Sequence, residues 1–86
     1  MTFEQKVRRI LDGMADLLVE KNAAYGNSAL DPVRIFSKAD AIEGLNQRID
    51  DKLSRIARGS EYPGEDTIRD LIGYLVLRLI AEEGLK

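Results

Sequence analysis

Residues 43–74 read EGLNQRIDDKLSRIARGSEYPGEDTIRDLIGY. Ahead of its centre, Ile42, Leu45, Ile49, Leu53 and Ile56 recur at steps of three and four, the period of one helix face. Beyond it, Ile68, Leu71, Ile72, Leu75, Val76, Leu79 and Ile80 form a second, broader apolar band that Leu77 extends. Arg58-Gly59-Ser60 ends the earlier helix, with glycine at a natural C-terminal position, and Tyr62-Pro63-Gly64 is a turn. Glu65 and Asp66 fall in the first turn of the later helix, at the positive end of its dipole, and that helix runs to about Glu83. The stretch therefore predicts two successive helices and an all-α fold.

Working outward, Thr2-Phe3-Glu4-Gln5 has the capping-box spacing. Phe3, Val7, Ile10, Leu11, Met14, Leu17 and Leu18 follow on one face, so a first helix is expected from about residue 3 to about residue 22. Gly13 lies inside it at a cost of roughly 1 kcal/mol relative to alanine, as where another backbone passes close. Asn22 to Leu30 has loop character. Asp31-Pro32 offers one helix start followed by a short turn to Phe36, and Ser37-Lys38-Ala39-Asp40 offers another. Three main helices in a single small bundle spanning residues 1–86 result. The band on the third helix is wider than two partners of similar length cover, which implies homo-oligomerisation through that helix.

Composition narrows the chemistry. The chain has no cysteine, hence no disulfide or thiolate metal site, and no histidine, hence no imidazole general base or ligand. Any metal would be a hard cation such as Mg²⁺ held by carboxylates. No basic start followed by an apolar core opens the sequence, and the longest apolar stretch, Leu71 to Ala81, is too short for a bilayer. A cytoplasmic protein without a membrane partner is expected. Thirteen basic residues against fifteen acidic ones give a net charge of −2, which disfavours duplex DNA as a partner but leaves room for one small anionic ligand.

The polar residues of the quoted stretch are also in helical register. Arg48, Lys52 and Arg55 project within a narrow arc beside the apolar stripe, with Asp51 at its edge. Asp66, Asp70 and Tyr74 make a second strip, adjoined by Gly73. Either these charges are ordinary helix-surface and interhelical pairs, each contributing a few tenths of a kcal/mol, or they line a site. The segment Lys21-Asn22-Ala23-Ala24-Tyr25-Gly26-Asn27-Ser28 poses the same choice. It has a cation for a phosphate, an aromatic face for a base and a glycine for close backbone approach. It is equally a helix C-terminus with glycine in the left-handed position and Tyr25 packed back on the bundle.

Together, KNAAYGNS, RIDDKLSRI and EDTIRDLIGYLVL resemble the nucleotide modification associated domain 1 family of small phage and bacterial proteins. The resemblance rests on Lys21, Asn22, Tyr25, Gly26 and Ser28; on Arg48, Asp51, Lys52 and Arg55; and on Asp66, Thr67, Asp70, Leu71 and Tyr74. It implies a phage-type protein that handles nucleotides or serves base modification. The helix order is also similar to the MazG-like all-α nucleotide pyrophosphohydrolases, which hold magnesium through Glu-x-x-Glu and Glu-x-x-Asp pairs. Here Arg48 and Thr67 stand at two of those four positions, and only Asp51 and Asp70 keep carboxylates, with Asp66 as a substitute.

Three functions are thus open. A binding protein would hold a nucleotide or nucleotide-derived ligand through Lys21, Asn22, Tyr25, Gly26, Ser28, Arg48, Lys52, Arg55 and Tyr74. A Mg²⁺-dependent pyrophosphohydrolase would hold the metal through Asp51, Asp66 and Asp70. An interaction module would use the same polar strips as interhelical salt bridges, with no small ligand.

Overall fold

In a computed structural model the described residues are 1–32, 37, 39–59 and 63–84. They form three helices, α1 (Phe3–Tyr25), α2 (Ala41–Arg58) and α3 (Thr67–Glu82), and no strand occurs among them. The all-α expectation therefore holds.

Each helix begins at a side chain that satisfies its first free amides. Thr2 Oγ1 accepts from the Gln5 amide at 3.1 Å and Gln5 Oε1 accepts from the Thr2 amide at 2.9 Å, which completes the expected capping box. Asp40, not Asp31, caps α2, accepting from the Glu43 amide at 2.8 Å. The turn expected after Asp31-Pro32 falls at residues 33–36, outside the described residues. Asp66 caps α3, accepting from the Arg69 amide at 3.0 Å, so Asp66 stands at the cap and Glu65 precedes the helix, where a first turn containing both was expected.

The first helix runs three residues past its expected end. Ala23 and Ala24 are strong helix formers, and Gly26 is where the chain takes the left-handed conformation, at φ 63°. The expected loop therefore starts at Gly26, and Lys21, Asn22 and Tyr25 belong to the last turn of α1. Gly59 ends α2 as the sequence predicts, at φ 67°.

The pair α2–α3 is antiparallel. Its rungs are Arg55 with Glu65, Lys52 with Asp70, and Asn46 with Arg78, whose Nε donates to Asn46 Oδ1 at 2.6 Å. Among the described helices, α1 approaches only α3. The meeting point is Gly73, where a Cβ would lie 3.2 Å from Leu18 Cδ2 and 3.9 Å from Met14 Cε. Among the described residues the buried apolar side chains are Met14, between α1 and α3, and Leu45 on α2. Phe3, Val7, Ile10 and Leu11, on the expected core face of α1, are exposed. The face is apolar as expected, but within one chain only its C-terminal half has a neighbour. No helix of the described residues is long and apolar enough to cross a membrane.

Candidate functional site

The crossing of α1 over α3 leaves a cleft of about 430 Å³ on its C-terminal side, open to solvent. Small-molecule sites commonly occupy ~300–1,000 Å³. Its floor is apolar, from Met14, Leu17 and Leu18 of α1 and Leu77 of α3, with Gly73 where the two helices touch. Polar groups line its rim. Lys21, Asn22 and Tyr25 come from the last turn of α1, Ser28 from the following turn, Arg48 from α2, and Arg69, Asp70 and Tyr74 from α3.

The local reasons are legible. Extension of α1 to Tyr25 places Lys21 and Tyr25 one turn apart on the same side. Tyr25 is 69% exposed, so its ring faces are open and it does not pack back on the bundle. On α3, Asp70, Tyr74 and Leu77 follow at steps of four and three, and Arg69, Gly73 and Leu77 at steps of four, so two adjacent rows reach the cleft. The Arg48 guanidinium carbon lies 5.8 Å from the centroid of the Tyr74 ring. That contact sets a cation over an aromatic face and joins α2 to α3 at the rim.

The charges divide into two classes. Lys52 Nζ lies 3.2 Å from Asp70 Oδ2, and Arg55 pairs with Glu65. Arg69 Nε lies 3.0 Å from Asp66 Oδ2. Among the described residues Lys21 and Arg48 enter no ion pair. Two cations thus stand at the rim without a neutralising carboxylate, while Asp70 arrives there already paired from behind.

The nine residues expected to bind separate accordingly. Lys21, Asn22, Tyr25, Ser28, Arg48 and Tyr74 line the cleft. Gly26 does not line it and serves as the C-terminal residue of α1. Lys52 and Arg55 do not line it either, because both are engaged with carboxylates across the α2–α3 seam. The three aspartates considered for a metal are dispersed. Asp51 is exposed on α2, Asp66 caps α3 and pairs with Arg69, and Asp70 pairs with Lys52. No group of three acidic side chains placed to hold a metal ion occurs among the described residues.

From the sequence, Arg69 reads only as a surface charge beside Asp66 and Asp70, while Asp70 reads either as a metal ligand or as a carboxylate that orients the cations or accepts from base or sugar. The usable signal for Arg69 was its row with Gly73 and Leu77, one helical turn apart each. The apolar floor carried no separate signal, since Met14, Leu17 and Leu18 read equally as core. In comparisons with known proteins, no family model matches the chain, and neither a curated protein nor a solved structure matches it.

Proposed function

We propose that this protein binds a nucleotide or nucleotide-derived ligand in the cleft between α1 and α3, and acts by holding that ligand. One observation carries the reading. Six residues singled out as ligand-binding, spread from Lys21 to Tyr74 over three helices and a turn, line a single cleft.

The chemistry of the rim fits the parts of a nucleotide. The exposed ring of Tyr25 offers a stacking face for a base, a contact worth ~1–3 kcal/mol. Lys21 and Arg48, free of carboxylate partners among the described residues, suit phosphate oxygens. Asn22, Ser28 and Asp70 supply donors and acceptors for a base edge or a sugar hydroxyl. The apolar floor excludes water beneath them. The resemblance to a family of phage and bacterial nucleotide-associated proteins points the same way, toward capture of a nucleotide or supply of one to base modification. The pyrophosphohydrolase reading has less support, because Asp66 and Asp70 are paired to cations and Asp51 lies away from the cleft.

The test is thermal unfolding against linear and cyclic nucleotides, each with and without Mg²⁺, followed by mass spectrometry of every mixture. At about 100 times its dissociation constant a single-site ligand adds about 2.7 kcal/mol. A rise of several degrees without Mg²⁺, with the nucleotide recovered intact, is the expected result. Release of phosphate or pyrophosphate only with Mg²⁺ would replace binding by hydrolysis. A panel with neither shift nor product would leave the polar strips as structural salt bridges.

A further inference from the structure

Two apolar strips of this chain face solvent. On α1, Phe3, Val7, Ile10 and Leu11 share one side of the helix and are 83%, 37%, 42% and 55% exposed. On α3, Ile68, Leu75 and Leu79 align at helical spacing and are 54%, 45% and 62% exposed. Scattered exposed apolar side chains are ordinary, but two aligned rows on one small chain are not.

The surface area says how much cover is lacking. A compact monomer of 9.6 kDa exposes about 5,100 Å². This chain exposes 6709 Å², an excess of about 1,600 Å². Its radius of gyration is 14.3 Å, against about 12 Å for a compact chain of this length. Obligate homodimers bury ~2,000–5,000 Å² in total, or ~1,000–2,500 Å² per partner, so the excess equals one subunit's share of such an interface.

We propose that a second copy of this chain is the missing cover. The N-terminal half of α1 packs on the outer strip of α3 of its partner, and the partner returns the same contact across a two-fold axis. A single isologous interface then covers both strips at once. The charges agree with this pairing. With Arg8 paired to Glu4 and Glu82 paired to Arg78, residues 3–11 of α1 keep Lys6 and Arg9 as unpaired cations among the described residues, whereas α3 ends at its cap Glu83 with its negative dipole end. The inference is independent of the ligand reading, since neither strip lines the cleft.

Light scattering coupled to gel filtration should give twice 9.6 kDa, about 19 kDa, at micromolar concentration. Ile10→Lys should halve that mass, because Ile10 is 42% exposed within its own chain and the change falls on the proposed interface. A covalent test applies even if that variant fails to fold. The chain has no cysteine, so Ile10→Cys and Leu79→Cys proteins can be mixed and mildly oxidised. The expected product is the mixed disulfide in excess of either self-linked species, since a bridge needs the two Cα atoms within ~7 Å. A wild-type mass of 9.6 kDa would overturn the proposal. So would predominant self-linking of Ile10→Cys, which would mean α1 packs on α1, or self-linking of Leu79→Cys, which would mean α3 packs on α3.

Discussion

Lys52 Nζ lies 3.2 Å from Asp70 Oδ2, with the lysine side chain 11% exposed and the aspartate 27%. The pair ties the middle of α2 to the first turn of α3, directly behind the cleft that Asp70 helps to line. Each charge helps to offset the desolvation of the other, so removing one costs more than the pair contributes. Lys52→Ala and Asp70→Ala should each lower stability by about 1–3 kcal/mol, the partial exposure of Asp70 keeping the loss below that of a fully buried pair. Lys52→Met combined with Asp70→Leu should lose less than either single change. Urea denaturation of the four proteins measures this directly, and strictly additive losses would show that the two residues are not coupled.

Gly73 is where the side chains of Leu18 and Met14 on α1 come close to the α3 backbone. Its substitution separates two effects that usually travel together. Gly73→Ala gains up to about 1 kcal/mol of helix propensity and asks only that the flexible tip of Leu18 move from 3.2 Å, so its stability should stay close to wild type. Gly73→Leu has no such room and should push α1 away from α3, at about 1–3 kcal/mol. Because the cleft exists only where α1 crosses α3, nucleotide affinity should fall far more with leucine than with alanine. Parallel melting and nucleotide titration of the two variants is the measurement, and equal affinity in both would place the ligand elsewhere.

Much of this architecture is readable from local chemistry. Thr2 with Gln5, Gly59, and the apolar steps from Ile42 to Ile56 and from Ile68 to Ile80 each act within a turn or two, so the sequence alone carries them. What escaped depends on distance. Asp31 and Asp40 are both good caps by residue type, and it is Asp40 that accepts from the Glu43 amide at the start of α2. Lys52 and Arg55 share an arc with Arg48, yet Asp70 and Glu65 pair with the first two, while the third lies over the Tyr74 ring and enters no ion pair among the described residues. The same helical row thus splits into structural and rim cations according to what the facing helix presents. Likewise the stripe of α1 is uniform in sequence from Phe3 to Leu18, but α3 meets only its second half.

Arg48 and Tyr74 provide the sharpest test of the rim. The guanidinium stands 5.8 Å from the ring centroid in an exposed position, where such a contact contributes only about 0.5–1 kcal/mol to folding. Its larger consequence is orientation, because the ring limits where the cation can point. Tyr74→Leu should therefore leave the melting temperature within a few degrees of wild type while weakening nucleotide binding. Arg48→Lys keeps the charge but loses the planar fork that engages phosphate oxygens in pairs, and should weaken binding about tenfold, equivalent to ~1.4 kcal/mol. Arg48→Ala should weaken it further and flatten its dependence on salt, since one screened charge contact is gone. Calorimetric titration at two ionic strengths distinguishes these outcomes. If Arg48→Lys and Arg48→Ala bound as tightly as wild type, Arg48 would be a helix-surface cation resting on an aromatic ring, with no part in holding the ligand.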